Sequence, residues 1–543
     1  MHRSIRVARA ASAIAVLGMV AACSGSHAGG AYGGSATTPS GAVASSARPL
    51  PVALTRVTSA AVSVQPDTGP VAVSTEFAAK LYASAPIVVV ASADGTKLPA
   101  AAREARAIHA PLLLAPAAGK DTKDTKDTKA AKSTKTEKAA KTAQDQLAAG
   151  IQALHPVAVL SAGLSSSAAA ALAARLPGIR VVARAADLPP TGDPASLRDV
   201  TVLIRASAKA SRSVPIVAVT TTAKAAGATV IDMTGSDPRT DPAVIKALTR
   251  LRPHAVVAVG AGFGSVALLT ARLAVAETGR QLPGGGQVMF PGRRLIALYG
   301  NPEAPSLGVL GHQDLPASIA RAKEMAAEYR PLSTVPVVPA FEIIASVAEG
   351  SPGPDGSYSY ETPIDQLLPW VRSATKAGLY VVLDLQAGRA SLLQQAKDYK
   401  SLLALPDVGL ALDPEWKLLP GQRPLKQIGH VDISEVNSVI DWLAALTARD
   451  KLPQKLLVLH QFLLSMIAGE QDLDTSHDDL SILIHMDGQG TPGNKQATWN
   501  AVTAAAPPRV FFGWKNFFVM DHPMLTPGET MTKTPAPVMI SYQ

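Results

Sequence analysis

The feature that most constrains this chain is a set of eight short apolar runs in its last 250 or so residues, separated by helix-length segments and most of them ending on a polar or ionisable side chain. They are Leu295 to Tyr299, Val337 to Glu342, Tyr380 to Gln386, Gly409 to Asp413, Leu456 to His460, Ser481 to Asp487, Val510 to Lys515 and Val538 to Tyr542. Eight β-α units in a stretch of this length match the arithmetic of a (β/α)8 barrel, predicted here over 292–543. The chemically capable residues fall at the C-terminal ends of the runs: Glu342, Asp384 with Gln386, Asp413 with Glu415, His460 with Gln461, His485 with Asp487, and Lys515. Strand side chains alternate with period two, so Asp384 and Gln386 share a face, as do Asp413 and Glu415, and His485 and Asp487. Each pair is thereby predicted to point to one mouth.

A ring of carboxylates suits glycoside cleavage. That reaction needs one carboxylic acid to protonate the leaving oxygen and one carboxylate to act as nucleophile or as base for water. The roles predicted are Glu415 as general acid and Asp487 as nucleophile or base, with Asp413 and Asp384 tuning them. Trp416 and Trp514, each at a strand end, are expected to stack on sugar rings. Glu342, Gln386, His460, Gln461, His485 and Lys515 complete the predicted substrate-binding set. The segments Leu412-Asp413-Pro414-Glu415-Trp416 and His485-Met486-Asp487-Gly488 resemble the acid-bearing strand ends of barrel glycoside hydrolases. The same residues also have purely structural readings. Asp413-Pro414 is a turn initiator, Asp384 is a candidate buried acid orienting its neighbours, and Glu342 in an apolar strand is costly unless functional or paired. Trp370, Trp442 and Trp499 lie in helical stretches and read as core. No His-Glu-x-x-His spacing, Gly-x-Ser-x-Gly elbow or Gly-Lys-Ser/Thr loop occurs, so the sequence predicts neither metal nor cofactor. Whether the barrel is a hydrolase or a non-catalytic binding module on a degenerate barrel stays open at this point.

Over 71–283, β-branched runs alternate with Ala-rich helical stretches, as in β-α units around a parallel sheet. The predicted strands are Ile87 to Val90, Leu112 to Leu114, Val157 to Leu160, Val181-Val182, Ile216-Val217, Val230-Ile231 and Val256 to Val259. They are apolar throughout, as strands covered on both faces should be. His155 to Gly163 aligns with His254 to Gly262 at an offset of 99, and Pro86 to Val90 with Pro215 to Val219 at an offset of 129. A Lys-rich low-complexity insertion, 120–146, accounts for about the difference. With Ala105 to Pro116 and the strand that ends at Ser161-Ala162-Gly163, these paired units resemble the cell wall-binding repeat type 2 family. The resemblance implies binding to envelope polymers. Gly260-Ala261-Gly262-Phe263-Gly264 resembles a dinucleotide fingerprint, but its third glycine comes one position early, and a tight turn explains it equally.

The chain has 51 Lys plus Arg against 42 Asp plus Glu, a single cysteine and 4% aromatics. That composition excludes a disordered chain, a collagen and a disulfide scaffold. Arg3, Arg6 and Arg9, an apolar run from Ala10 to Val20 and then Val20-Ala21-Ala22-Cys23 form a secretory leader over 1–23. Its end resembles the bacterial lipobox, which implies that Cys23 is the lipidation site. Residues 24–70, rich in Gly, Ser, Ala, Thr and Pro, read as a flexible tether. The positive excess falls from nine to six without the three leader arginines, and the insertion carries much of the rest. No aromatic-interleaved basic face suggests nucleic acid. The expectation is a lipid-anchored protein on the outer face of the cytoplasmic membrane, with an envelope glycan or anionic wall polymer as partner. A solute-capture lipoprotein fits less well, because its two lobes would be alike.

Overall fold

The last eight strands close into a barrel. In this computed structural model, which describes residues 49–56, 60–66, 68–117, 129–205 and 213–543, they run Arg294–Gly300, Val337–Ala348, Tyr380–Leu385, Val408–Leu412, Lys455–Gln461, Leu480–Met486, Phe511–Asn516 and Met539–Tyr542. We number them barrel strands 1 to 8. Each pairs in parallel with the next, and strand 1 pairs with both strand 8 and strand 2, which completes the ring. The protein is thus α/β, with a TIM-type barrel following an N-terminal parallel-sheet region. Leu50–Gln543 forms a single compact unit.

Two apolar layers hold the barrel. Outward residues such as Leu383, Leu410, Leu457 and Leu459 pack under the helices Ile364–Lys376 and Ile433–Arg449. Inward residues of the lower strands, among them Leu295, Ala340, Val382, Ala411, Val458 and Leu483, fill the interior. Phe290 and Leu282 close the bottom beside them. The connection from strand 5 to strand 6 contains no α-helix: two single 3-10 turns, Leu464–Met466 and Glu470–Asp472, replace it.

The N-terminal region holds two four-stranded parallel sheets of matching order. The first is Leu112–Ala115, Ile87–Ser92, Ala158–Ser161, Arg180–Val182; the second is Thr229–Met233, Val200–Arg205, Ala255–Val259, Val62–Gln65. Each therefore reads second, first, third, fourth, with the early strand Val62–Gln65 supplying the fourth place of the second sheet. A repeat exists, but two parts of the sequence reading are corrected. The counterpart of Ile87 is Val200, not Ile216. Ile216-Val217 lies in the helix Val214–Ala225, which starts with Pro215 in its first turn and buries Ala218, Val219, Thr221, Thr222, Ala223 and Ala225. A helix buried on several sides has no polar stripe, so its β-branched run mimics a strand. The second correction concerns Val62–Gln65, which was expected in the tether but belongs to this folded sheet. The leader, Cys23 and residues 120–128 of the Lys-rich insertion lie outside the described residues, and the rest of the insertion falls in the helix Lys129–Gln152. The glycine run from Gly260 does make a tight turn, with Gly260 and Gly264 at φ 118° and 78° and Phe263 buried between them.

An ion cluster ties the sheets to the barrel. Arg239, 3% exposed at its side chain, donates to Asp478 at 2.7 Å and to Asp237 at 2.8 Å, and Arg272 donates to Asp478 at 2.6 Å. The guanidinium of Arg293, fully buried, donates to the carbonyls of Met289 (3.0 Å), Gly285 (2.8 Å) and Val288 (3.0 Å), locking the glycine-rich linker beneath the barrel floor.

Candidate functional site

Alternation puts a polar layer on top of the apolar interior. The inward positions one step above Ala297, Ala340, Val382, Ala411, Val458, Leu483 and Gly513 are Tyr299, Glu342, Asp384, Asp413, His460, His485 and Lys515. At its centre is His460, wholly buried. Its Nε2 lies 3.1 Å from Glu342 Oε1 and its Nδ1 lies 3.0 Å from Asp487 Oδ2. Burial alone would favour the neutral ring, but Glu342, Asp487 and Asp384 outweigh it and hold His460 as an imidazolium, well above the usual histidine range. Both ring nitrogens then carry protons directed at carboxylates. Tyr299 donates to Asp384 Oδ2 at 2.8 Å, and the ammonium of Lys515 sits 3.4 Å above the Tyr299 ring centre.

His485 has the opposite character. Burial and the His460 charge hold it well below the usual range, so the ring is neutral, with Nε2 2.7 Å from Ser541 Oγ. Its edge lies over strand 7, where a Cβ on Gly513 would come within 2.0 Å of Nδ1. Only glycine leaves the ring room there.

Above this layer opens a cavity of about 380 Å³ whose polar wall includes Asp413, Glu415, Asp487, Gln386, Lys515 and Tyr299. Trp416, Phe462 and Phe517 also line it. Asp413 ends strand 4 and Glu415 sits on the 3-10 turn Pro414–Trp416. That turn is fixed by the loops around it: Gly429 N–H donates to Glu415 O at 2.7 Å and Leu418 N–H to Gly388 O at 2.8 Å. Lys417 Nζ donates to Glu435 at 3.1 Å. Asp413 Oδ1 and Asp487 Oδ1 are buried and have no hydrogen-bond partner within the protein. Buried acceptors without a partner are costly, and they are what a ligand's hydroxyl donors would satisfy.

The carboxyl groups are driven apart in acidity. Burial, then the Asp487 charge, pushes Glu415 up to about 7, and burial with Asp384 pushes Asp413 well above the usual carboxylate range. Burial also opposes the ionised form of Asp487, but the hydrogen bond and charge of His460, helped by Lys515, outweigh it and hold Asp487 below its ordinary value. Asp384 is raised, chiefly by burial. Near neutral pH the cavity therefore presents a partly protonated Glu415 and an ionised Asp487, beside an Asp413 whose proton is held more tightly than usual.

The sequence-predicted residues divide into three groups. Asp413, Glu415, Trp416, Asp487, Gln386 and Lys515 line the cavity together. Glu342, Asp384, His460 and His485 form the buried layer below it, so the direct substrate contacts expected of Glu342, His460 and His485 are corrected to supporting positions. Trp514 and Gln461 lie outside the site. Trp514, fully buried, packs on Trp499 with ring centres 5.5 Å apart and donates to Asn516 Oδ1 at 2.8 Å; it is core and has no face for a sugar. Gln461, one residue past the inward His460, points outward and donates to Glu470 Oε2 at 2.8 Å. The sequence reading missed Tyr299, although its place at the end of the first run puts it in the inward register. It also missed the loop residues Phe462 and Phe517, which carry no periodic signal.

No protein-family description matches this chain, and no curated protein shows detectable similarity to it.

Proposed function

We propose that the barrel is a glycoside hydrolase acting on a polysaccharide of the cell envelope. The observation that carries this reading is the shared cavity wall, where Glu415 and Asp487 face the same space with their acidities displaced in opposite directions. Two titratable groups pushed apart in this way mark an acid and its partner base. Glu415 is the general acid. Asp487, kept ionised by His460, is the nucleophile or the base for water, and Trp416 supplies an aromatic face. Asp413 and Asp384 set the local charge, and Glu342 holds the imidazolium that steadies Asp487.

A retired barrel would be expected to neutralise its rim acids with arginines and fill its mouth. Among the described residues no arginine forms an ion pair with Glu342, Asp384, Asp413, Glu415 or Asp487. This favours the catalytic reading over the binding-only one. Lipidation at Cys23, the tether and envelope-polymer binding by the N-terminal sheets belong to the same proposal and place the barrel at the outer face of the cytoplasmic membrane. The test is reducing-end release from purified envelope polysaccharides by the full chain and its Glu415→Gln, Asp487→Asn variant. Release that disappears in the variant supports the proposal. Binding without release, unchanged in the variant, would leave a carbohydrate-binding protein.

A further inference from the structure

The rim of the cavity is apolar to an unusual degree. Eight of the ten exposed large hydrophobic residues described in the barrel half sit in the loops that follow strands 4, 5 and 7: Leu419, Leu425, Ile428, Leu463, Leu464, Phe518, Val519 and Met520. Leu425 is 82% exposed, Val519 74% and Met520 50%. These loops lie on one side of the mouth, because strands 4, 5, 6 and 7 are consecutive neighbours in the ring. Leu425 and Met520 belong to the rim and to the cavity wall at once, so the apolar patch runs into the acid-lined space without a break. Large apolar patches of this kind on a soluble surface mark binding sites.

We infer that the substrate is an amphiphile: a glycolipid whose sugar enters the cavity while its hydrocarbon chain lies over the rim. This rests on the glycosidase reading and names its substrate class. Polarity in the site is graded to suit such a molecule, with carboxyl groups at the floor, Trp416, Phe462 and Phe517 on the walls and aliphatic side chains at the lip.

The test compares methyl, octyl and dodecyl glycosides of glucose, galactose, mannose and N-acetylglucosamine, all below their micelle concentrations, for binding and hydrolysis by the full chain. For the sugar that is accepted, the octyl glycoside should have a Kd at least tenfold below the methyl glycoside, the gain from burying about two methylenes. In the Leu425→Ser, Met520→Ser variant the octyl-to-methyl ratio should fall to near one. The ratio is internal to each variant, so a general loss of fold does not mimic this result. Recognition of sugars and of envelope polysaccharide with no chain-length gain would overturn the inference and leave the glycosidase reading standing. A chain-length gain with any headgroup and no hydrolysis would defeat the glycosidase reading instead. Binding to sugar-free phosphatidylcholine vesicles through the rim, without a gain for monomeric glycosides, would make the patch a membrane contact and also overturn the inference.

Discussion

Replacing His460 with Phe isolates the charge at the centre of the site, because the ring volume is retained while both N–H groups are lost. In the native protein the imidazolium lies between Glu342 at 3.1 Å and Asp487 at 3.0 Å, and all three side chains are 5% exposed or less. Removing one partner of a buried ionic group leaves charge without compensation, which costs about 3–5 kcal/mol. For a unit of about 250 residues, each kcal/mol lowers Tm by about 2–4 °C, so the barrel should melt about 6–20 °C lower at pH 7.5. Each group's contribution has its own pH sign. Asp487 is held below its unfolded value, so its contribution is present above the ordinary carboxylate range and is lost as pH falls through its folded value. His460 is held above its unfolded value, so its contribution is complete below about 6.5 and is lost as pH rises through its folded value. In the variant the orphaned carboxyl groups are raised instead, and their penalty fades on acidification. Toward pH 6.5 the native protein gains the His460 contribution while the variant is relieved of its orphaned charge, so the two effects oppose and the decisive value is the difference at pH 7.5. Calorimetry there tests this. A difference below about 2 °C would refute an imidazolium that balances the acids.

Glu415→Gln should lower glycoside hydrolysis by about 10²–10⁴-fold, as loss of a general acid does, with substrate binding largely kept. For the native protein, the proposed activity should fall as pH rises through about 7, where Glu415 loses its proton, and again at acidic pH below the ordinary carboxylate range, where Asp487 gains one. A flat rate from pH 5 to 9 would remove Glu415 from the acid role. Gly513→Ala should cost about 1–3 kcal/mol through overpacking, since the added methyl meets His485 Nδ1 at 2.0 Å. Denaturant titration should show that cost to be non-additive with His485→Ala. Asp478→Ala should weaken the attachment of the sheets to the barrel by about 2–3 kcal/mol, because it removes the barrel-side acceptor of Arg239 and Arg272 and leaves them only Asp237. Earlier cleavage between the two parts in limited proteolysis would show it, and unchanged cleavage would argue that the apolar contacts suffice.

The sequence determined the barrel because each of its eight strands is buried on both faces and so appears as an uninterrupted apolar run bounded by polar loops. The same alternation set which strand-end residues point inward, and hence that Asp413 and Asp487 meet, whereas Glu415 joins them from the 3-10 turn Pro414–Trp416. It did not determine the helix Val214–Ala225, whose burial removed the polar stripe that separates helix from strand, or the strand Val62–Gln65, which pairs with a partner almost 200 residues away. Nor did it separate ligand-facing from supporting residues. One step along a strand sends Gln461 and Trp514 outward to the helix layer, and depth in the barrel sets Glu342, His460 and His485 below the cavity. Acidity was decided by the tertiary structure alone. The same carboxyl chemistry gives a raised Glu415 and a depressed Asp487, because burial is opposed by an imidazolium at one and reinforced by a neighbouring carboxylate at the other.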